Sequence, residues 1–125
     1  MDRDIDMEKT VVAIFEDDLV NRYIYEKTFQ KRDDIMLLLF DSLEKGLDKL
    51  KDYHPDVVFI EAHFHGNFGG VSIIKSLRAI TTDRTVFIAM TSLLQKGDLE
   101  HLMSAGFMMC LEKPIAFNEV LKANE

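Results

Sequence analysis

Tryptophan is absent from this 125-residue chain, cysteine occurs once and proline twice. The lone Cys110 closes no internal disulfide, which excludes a cystine-stapled scaffold and fits a reducing compartment. Two prolines and six glycines are too few for a collagen-like or low-complexity chain. Positive charge is also short: 15 Lys and Arg stand against 22 Asp and Glu, for a formal net charge of −7. A domain of that sign repels phosphate backbones, so no nucleic-acid partner is expected for it. No apolar run approaches the ~20 residues of a membrane span; Met36 to Phe40 and Val57 to Ile60 are typical of what there is. The charged opening MDRDIDMEK leaves no room for the apolar stretch of a signal peptide. These absences together point to a soluble cytoplasmic domain.

What is present is enough for a core. The chain is 47% hydrophobic, and a chain of its length buries roughly 65% of its unfolded surface on folding. Short apolar, β-branched runs recur at Thr10 to Phe15, Ile35 to Phe40, Asp56 to Ile60, Thr85 to Met90 and Phe107 to Leu111. Each reads as a buried strand. Between them lie helical patterns. Asp17 and Asp18 start a helix running to Gln30, with Val20, Ile24 and Thr28 on one face. Asp41 and Ser42 cap a second helix, with Leu43, Leu47 and Leu50 in line, ended by His54 and Pro55. Val71 to Ile80 carries Val71, Ile74 and Leu77 at helical spacing. Leu94 to Ala105 reads as a helix with Gly97 as a weak point and Gly106 just past its end, and Phe117 to Lys122 as a short last helix.

Strict β/α alternation with apolar strands implies a single doubly wound α/β domain, a parallel five-stranded sheet between two layers of helices. It spans residues 1–125, with 1–8 as an N-terminal extension. In such a sheet ligands bind beyond the carboxyl ends of the strands. There the sequence places Glu16, Asp17 and Asp18 after the first strand and Glu61 after the third. Thr91 and Ser92 follow the fourth strand, and Glu112 and Lys113 the fifth. Any one of these acids alone reads as a helix cap. Acids, a hydroxyl and a lysine at four strand ends together read as a site.

Asp17, Glu61, Thr91 and Lys113 are separated by 44, 30 and 22 residues. With Glu16 before Asp17, Asn21-Arg22, His54-Pro55-Asp56, Gly106 and Lys113-Pro114, this pattern resembles the receiver domain of two-component response regulators over residues 9–122. The resemblance implies the flavodoxin-like strand order 2-1-3-4-5. It implies a weakly held Mg²⁺ on Glu16, Asp17, Glu61 and the His63 backbone carbonyl, a hard cation suited to carboxylate oxygens. It gives Thr91 and Lys113 the role of phosphoryl contacts, and Thr91 and Cys110 the positions of the switch pair. It places a cis peptide before Pro114. It implies a partner-binding face made by the fourth helix, fifth strand and fifth helix, near Leu99, Met103 and Met109. A histidine kinase, an output domain or a second copy of the chain are the partners implied.

The departures from that pattern carry as much information. The family's phosphoacceptor is aspartate, and Glu61 stands there. The extra methylene moves the carboxylate by about 1.5 Å, and a displacement of about 1 Å can cost on the order of 10²-fold in rate. The longer arm reaches instead toward Thr91 and Lys113, as a partial mimic of phospho-aspartate. His63 and His65 stand where the family usually has a small polar or apolar residue and a proline. Phe68 replaces a common aspartate, and Cys110 replaces the aromatic switch residue. The reading that follows is a pseudo-receiver, non-catalytic and phosphorylation-independent, acting through protein contacts. Two alternatives stay open: a competent receiver phosphorylated by a histidine kinase, and a metal-sensing domain using Glu61, His63 and His65.

Overall fold

The computed structural model describes residues 9–122. The 1–8 extension lies outside the described residues. The strands are β1 (Thr10–Phe15), β2 (Ile35–Phe40), β3 (Val57–Glu61), β4 (Val86–Thr91) and β5 (Met109–Glu112). The helices are α1 (Leu19–Phe29), α2 (Leu43–Leu50), α3 (Gly69–Arg78), α4 (Asp98–Ala105) and α5 (Phe117–Val120). The strands form one parallel sheet in the order β2-β1-β3-β4-β5. This is the expected architecture. Among the described residues no helix is long and apolar enough to cross a membrane.

Side chains alternate across each central strand, so the sheet builds two cores. Ala13 and Phe15 of β1, Val58 and Ile60 of β3, and Phe87 and Ala89 of β4 face α2, α3 and α4. Val12, Ile14, Phe59, Ile88 and Met90 face α1 and α5 instead. Burial on both faces explains why β1, β3 and β4 read as unbroken apolar runs. The edge strand β2 has the same composition, yet Met36, Leu37, Leu38 and Leu39 are only half-buried, because only one neighbour flanks it. Gly46 lets α2 lie directly on the Phe15 ring, which occupies the space a Cβ would need.

Helix starts follow local capping chemistry. The Asp18 side chain accepts a bond from the Asn21 amide at 2.8 Å, and Ser42 accepts from the Lys45 amide at 3.1 Å. Three expectations need correction. The face of α1 that turns inward carries Tyr25 and Phe29, whereas Val20 and Ile24 are 63% and 49% exposed. Helix α4 begins at Asp98, not Leu94, because Gly97 takes a left-handed φ of 88°. The fifth strand begins at Met109; Phe107 is buried in the loop before it. Gly106 does end α4, at φ 116°.

The last helix is a single turn with no side-chain cap. Packing holds it: the Phe117 ring lies 5.2, 5.1 and 5.0 Å from those of Tyr25, Phe29 and Phe59. Arg32 reinforces it from the α1–β2 turn, donating to Asn118 Oδ1 at 2.8 Å and to the Leu121 carbonyl at 2.7 Å.

Candidate functional site

Because parallel strands all end at one edge, the residues following β1, β3, β4 and β5 meet there. They line a cleft of about 670 Å³ whose walls include Glu16, Asp17, Glu61, His63, Thr91 and Lys113. The acids, the threonine and the lysine expected to hold a cation or contact a phosphoryl group therefore line one cavity, whereas Cys110 does not.

Lys113 is its centre. The Nζ atom donates to Glu16 Oε1 at 2.7 Å and pairs with Glu61 Oε1. Glu16 and Glu61 are 1% and 7% exposed, so this cation neutralises two carboxylates largely withdrawn from water. The Tyr25 hydroxyl of α1 donates to the same Glu16 Oε1 at 3.0 Å, and the Asp18 amide donates to Oε2 at 3.2 Å. Glu61 Oε2 accepts the His63 amide at 3.0 Å. The peptide between Lys113 and Pro114 is cis, as the resemblance implied.

Asp17 is held differently. Its Oδ2 accepts the His65 amide at 3.0 Å. The His65 ring then reaches across to β2, where Nε2 lies 2.9 Å from the Asp41 carbonyl and donates to it. His65 thus straps the loop after β3 to the ends of β1 and β2. Its neighbour His63 turns inward, and its Nδ1 accepts the Phe68 amide at 3.0 Å. Both imidazoles are engaged by backbone, and among the described residues no three His, Cys, Asp or Glu side chains are grouped to hold a metal ion. The His63 carbonyl, a ligand implied by the resemblance, accepts the Gly66 amide at 3.0 Å.

Phe68 lies between two imidazoles, its ring centroid 4.7 Å from His63 and 4.6 Å from His101 of α4. Its backbone is left-handed, φ 55°, at the start of α3. Thr91 is 2% exposed, and its hydroxyl donates to the Leu93 carbonyl at 3.1 Å and accepts the Leu93 amide. The Thr91 hydroxyl is therefore turned to its own strand end rather than to the acids, and the Glu61 arm expected to reach toward it pairs with Lys113 instead. Cys110 sits mid-strand opposite Ala89, half-buried. Burial, then the nearby Asp98, Glu112 and Glu61 carboxylates, push its thiol pKa up, which keeps it protonated and unreactive.

Tyr25 is the residue the sequence reading missed. Its one signal was that a buried tyrosine hydroxyl must find a partner. Burial first, then the Glu16 charge, push its pKa well above the ordinary range. For Lys113 burial acts the other way, but the hydrogen bonds to Glu16 and Glu61 outweigh it and the net shift is upward. Both groups hold their protons more tightly folded than unfolded. Their contributions to stability are complete below about pH 10, where unfolded tyrosine and lysine begin to ionise, and are lost as pH rises beyond it. The melting temperature should therefore fall steeply above about pH 10, and Tyr25→Phe should flatten that fall. Equal alkaline slopes in the two proteins would refute the assignment.

The family model of the response regulator receiver domain matches residues 12–125. No curated protein matches the chain significantly. Among solved structures, a response regulator receiver protein from Pseudoalteromonas atlantica aligns with a TM-score of 0.72 at 18% identity, covering 88% of this chain and 89% of that one. The receiver domain of Ssk1 from Saccharomyces cerevisiae, crystallised with the histidine phosphotransfer protein Ypd1, gives 0.72 at 18% identity, over 90% and 84% of the two chains. The receiver domain of a sensor histidine kinase from Pseudomonas aeruginosa PAO1, with magnesium coordinated in its active-site cleft, gives 0.71 at 20%, over 90% and 91%. At such identities the neighbours speak for the fold, and the family match speaks for descent. A half-buried lysine between two buried carboxylates, with a third acid and a threonine at the same sheet edge, is thus the site of a chain that belongs to the response regulator receiver domain family.

Proposed function

We propose that this receiver domain works in two-component signalling without taking up a phosphoryl group, as a non-catalytic cytoplasmic module that binds a protein partner. The observation that carries this reading is the Glu61 carboxylate. One oxygen pairs with Lys113 and the other accepts the His63 amide. A nucleophile so engaged, on an arm one methylene longer than aspartate, is poorly placed for in-line attack on phosphorus. The same engagement gives Lys113 the anionic partner that a phosphoryl group would supply elsewhere, in a weaker form with one charge instead of nearly two.

The partner surface proposed is that of α4, β5 and α5. Leu99, Met103 and Met108 are exposed there, at 47%, 43% and 52%. Apolar side chains beside the acidic first turn of α4, Asp98 and Glu100, suit a partner that offers an apolar ridge flanked by basic residues. Met109 is half-buried and packs in part against the Phe117 core, so it offers less of this surface than its neighbours. Contact with a histidine phosphotransfer protein, as in the Ssk1 complex, is the neighbouring precedent for a protein partner.

Incubation with acetyl phosphate and Mg²⁺, followed by intact mass measurement, tests the reading. The expected result is no gain. A stable increment of about 80 Da located on Glu61, the mass of one phosphoryl group, would replace this function with that of a competent receiver.

A further inference from the structure

The acids at the sheet edge are those from which a receiver would build a divalent-cation site, yet each has already been given a fixed partner by the chain. We propose that the acidic corner is closed to divalent cations, with Tyr25 and Lys113 on Glu16 and the His65 amide on Asp17 serving as its internal counter-ligands. Mg²⁺ requires near-octahedral oxygen ligation and yields its waters reluctantly. To bind Glu16 Oε1 it would have to displace the Lys113 ammonium at 2.7 Å and the Tyr25 hydroxyl at 3.0 Å, and at Oε2 it would compete with the Asp18 amide at 3.2 Å. The displaced hydroxyl is buried between α1 and the sheet, where a lost partner is costly. At Asp17 Oδ2 it would compete with the His65 amide at 3.0 Å. That bond depends on a sequence departure: the family's usual residue here is proline, which has no N–H to donate. Glu61 offers no alternative, since Lys113 and the His63 amide hold its two oxygens.

The consequence is a receiver site that is complete from its own residues. This inference stands on the hydrogen-bond partners and does not rest on whether Glu61 accepts phosphate. The test is a ¹H–¹⁵N NMR titration of the whole chain with MgCl₂ to about 20 mM, a hard oxygen-seeking cation in large excess. Amide shifts of Asp17, Glu61, His63 and His65 should drift slightly and linearly, without saturation, and dilute MnCl₂ should not broaden these resonances selectively. A saturating curve at those residues, or selective Mn²⁺ broadening there, would overturn the inference and leave the mass experiment above to judge the phosphoryl reading separately. Tyr25→Phe keeps the ring in the core and removes only the hydroxyl. It should gain a saturable Mg²⁺ response at Glu16 and Asp17. A folded Tyr25→Phe protein as flat as the wild type would remove Tyr25 from the closure.

Discussion

Replacing Lys113 with methionine should lower the melting temperature by about 10–20 °C, corresponding to about 3–5 kcal/mol. The magnitude comes from what the lysine leaves behind. Glu16 and Glu61 are almost fully buried, and Lys113 Nζ is the shared cation between them. Removing one partner of a buried ion pair strands the other charge without water, and here two charges are stranded side by side. The Tyr25 hydroxyl and the Asp18 and His63 amides remain as dipolar partners, but none carries a charge. Pairing the change with Glu61→Gln should recover a substantial part of the loss, because one of the two stranded charges is then gone. Thermal melts of the wild type, both single variants and the double variant give the coupling directly. A single-variant loss below about 1 kcal/mol would mean that water reaches these carboxylates and that Lys113 is a surface pair.

Phe117→Ala should cost as much by an unrelated route. The single turn of α5 has no side-chain cap, and at that length it has no stability of its own. Its place on the sheet is set by the Phe117 ring, 3% exposed and wedged among Tyr25, Phe29 and Phe59. Truncating a buried phenylalanine costs about 3–5 kcal/mol through lost transfer energy and the cavity left behind. A second effect should accompany the first. Tyr25 loses the edge-to-face neighbour that fixes its ring, so its hydroxyl bond to Glu16 loosens although neither residue is altered. Chemical unfolding reads the first effect, and ring and amide resonances of Tyr25 and Glu16 read the second. Loss of stability with unchanged Tyr25 resonances would show that α5 and the acidic corner are independent.

Much of this molecule was legible in its sequence because local pattern and global fold agree. β1, β3 and β4 lie between two helical layers, so burial itself wrote them as apolar runs. The strand ends then had to share one edge, which brought Glu16, Asp17, Glu61, Thr91 and Lys113 together. Helix α1 was misread because it is apolar on two sides. Leu19, Val20, Tyr23 and Ile24 are exposed while Tyr25 and Phe29 are buried, and spacing alone does not choose between the faces. The bonds that define the corner were illegible for another reason. Lys113 to Glu16 spans 97 positions and His65 to Asp17 spans 48, so nothing local encodes them. Thr91 illustrates the opposite case: its hydroxyl took a partner two residues away, where a longer reach had been expected.

Phe68 has a mechanical consequence. A phenylalanine at φ 55° holds a left-handed backbone that L side chains avoid, at a cost of order 1–3 kcal/mol. The ring meanwhile contacts His63 on one side and His101 on the other, which ties this turn to both the site loop and α4. His63 lies two residues from Glu61; His101 lies on α4, the helix that carries Leu99 and Met103. A partner that shifted α4 enough to separate His101 from Phe68 would leave that ring with one neighbour fewer. The Phe68 amide donates to His63 Nδ1, so such a disturbance would be felt at the residue whose own amide holds Glu61. Linkage requires the reverse as well: whatever alters the grip of Glu61 on that amide changes how readily α4 moves.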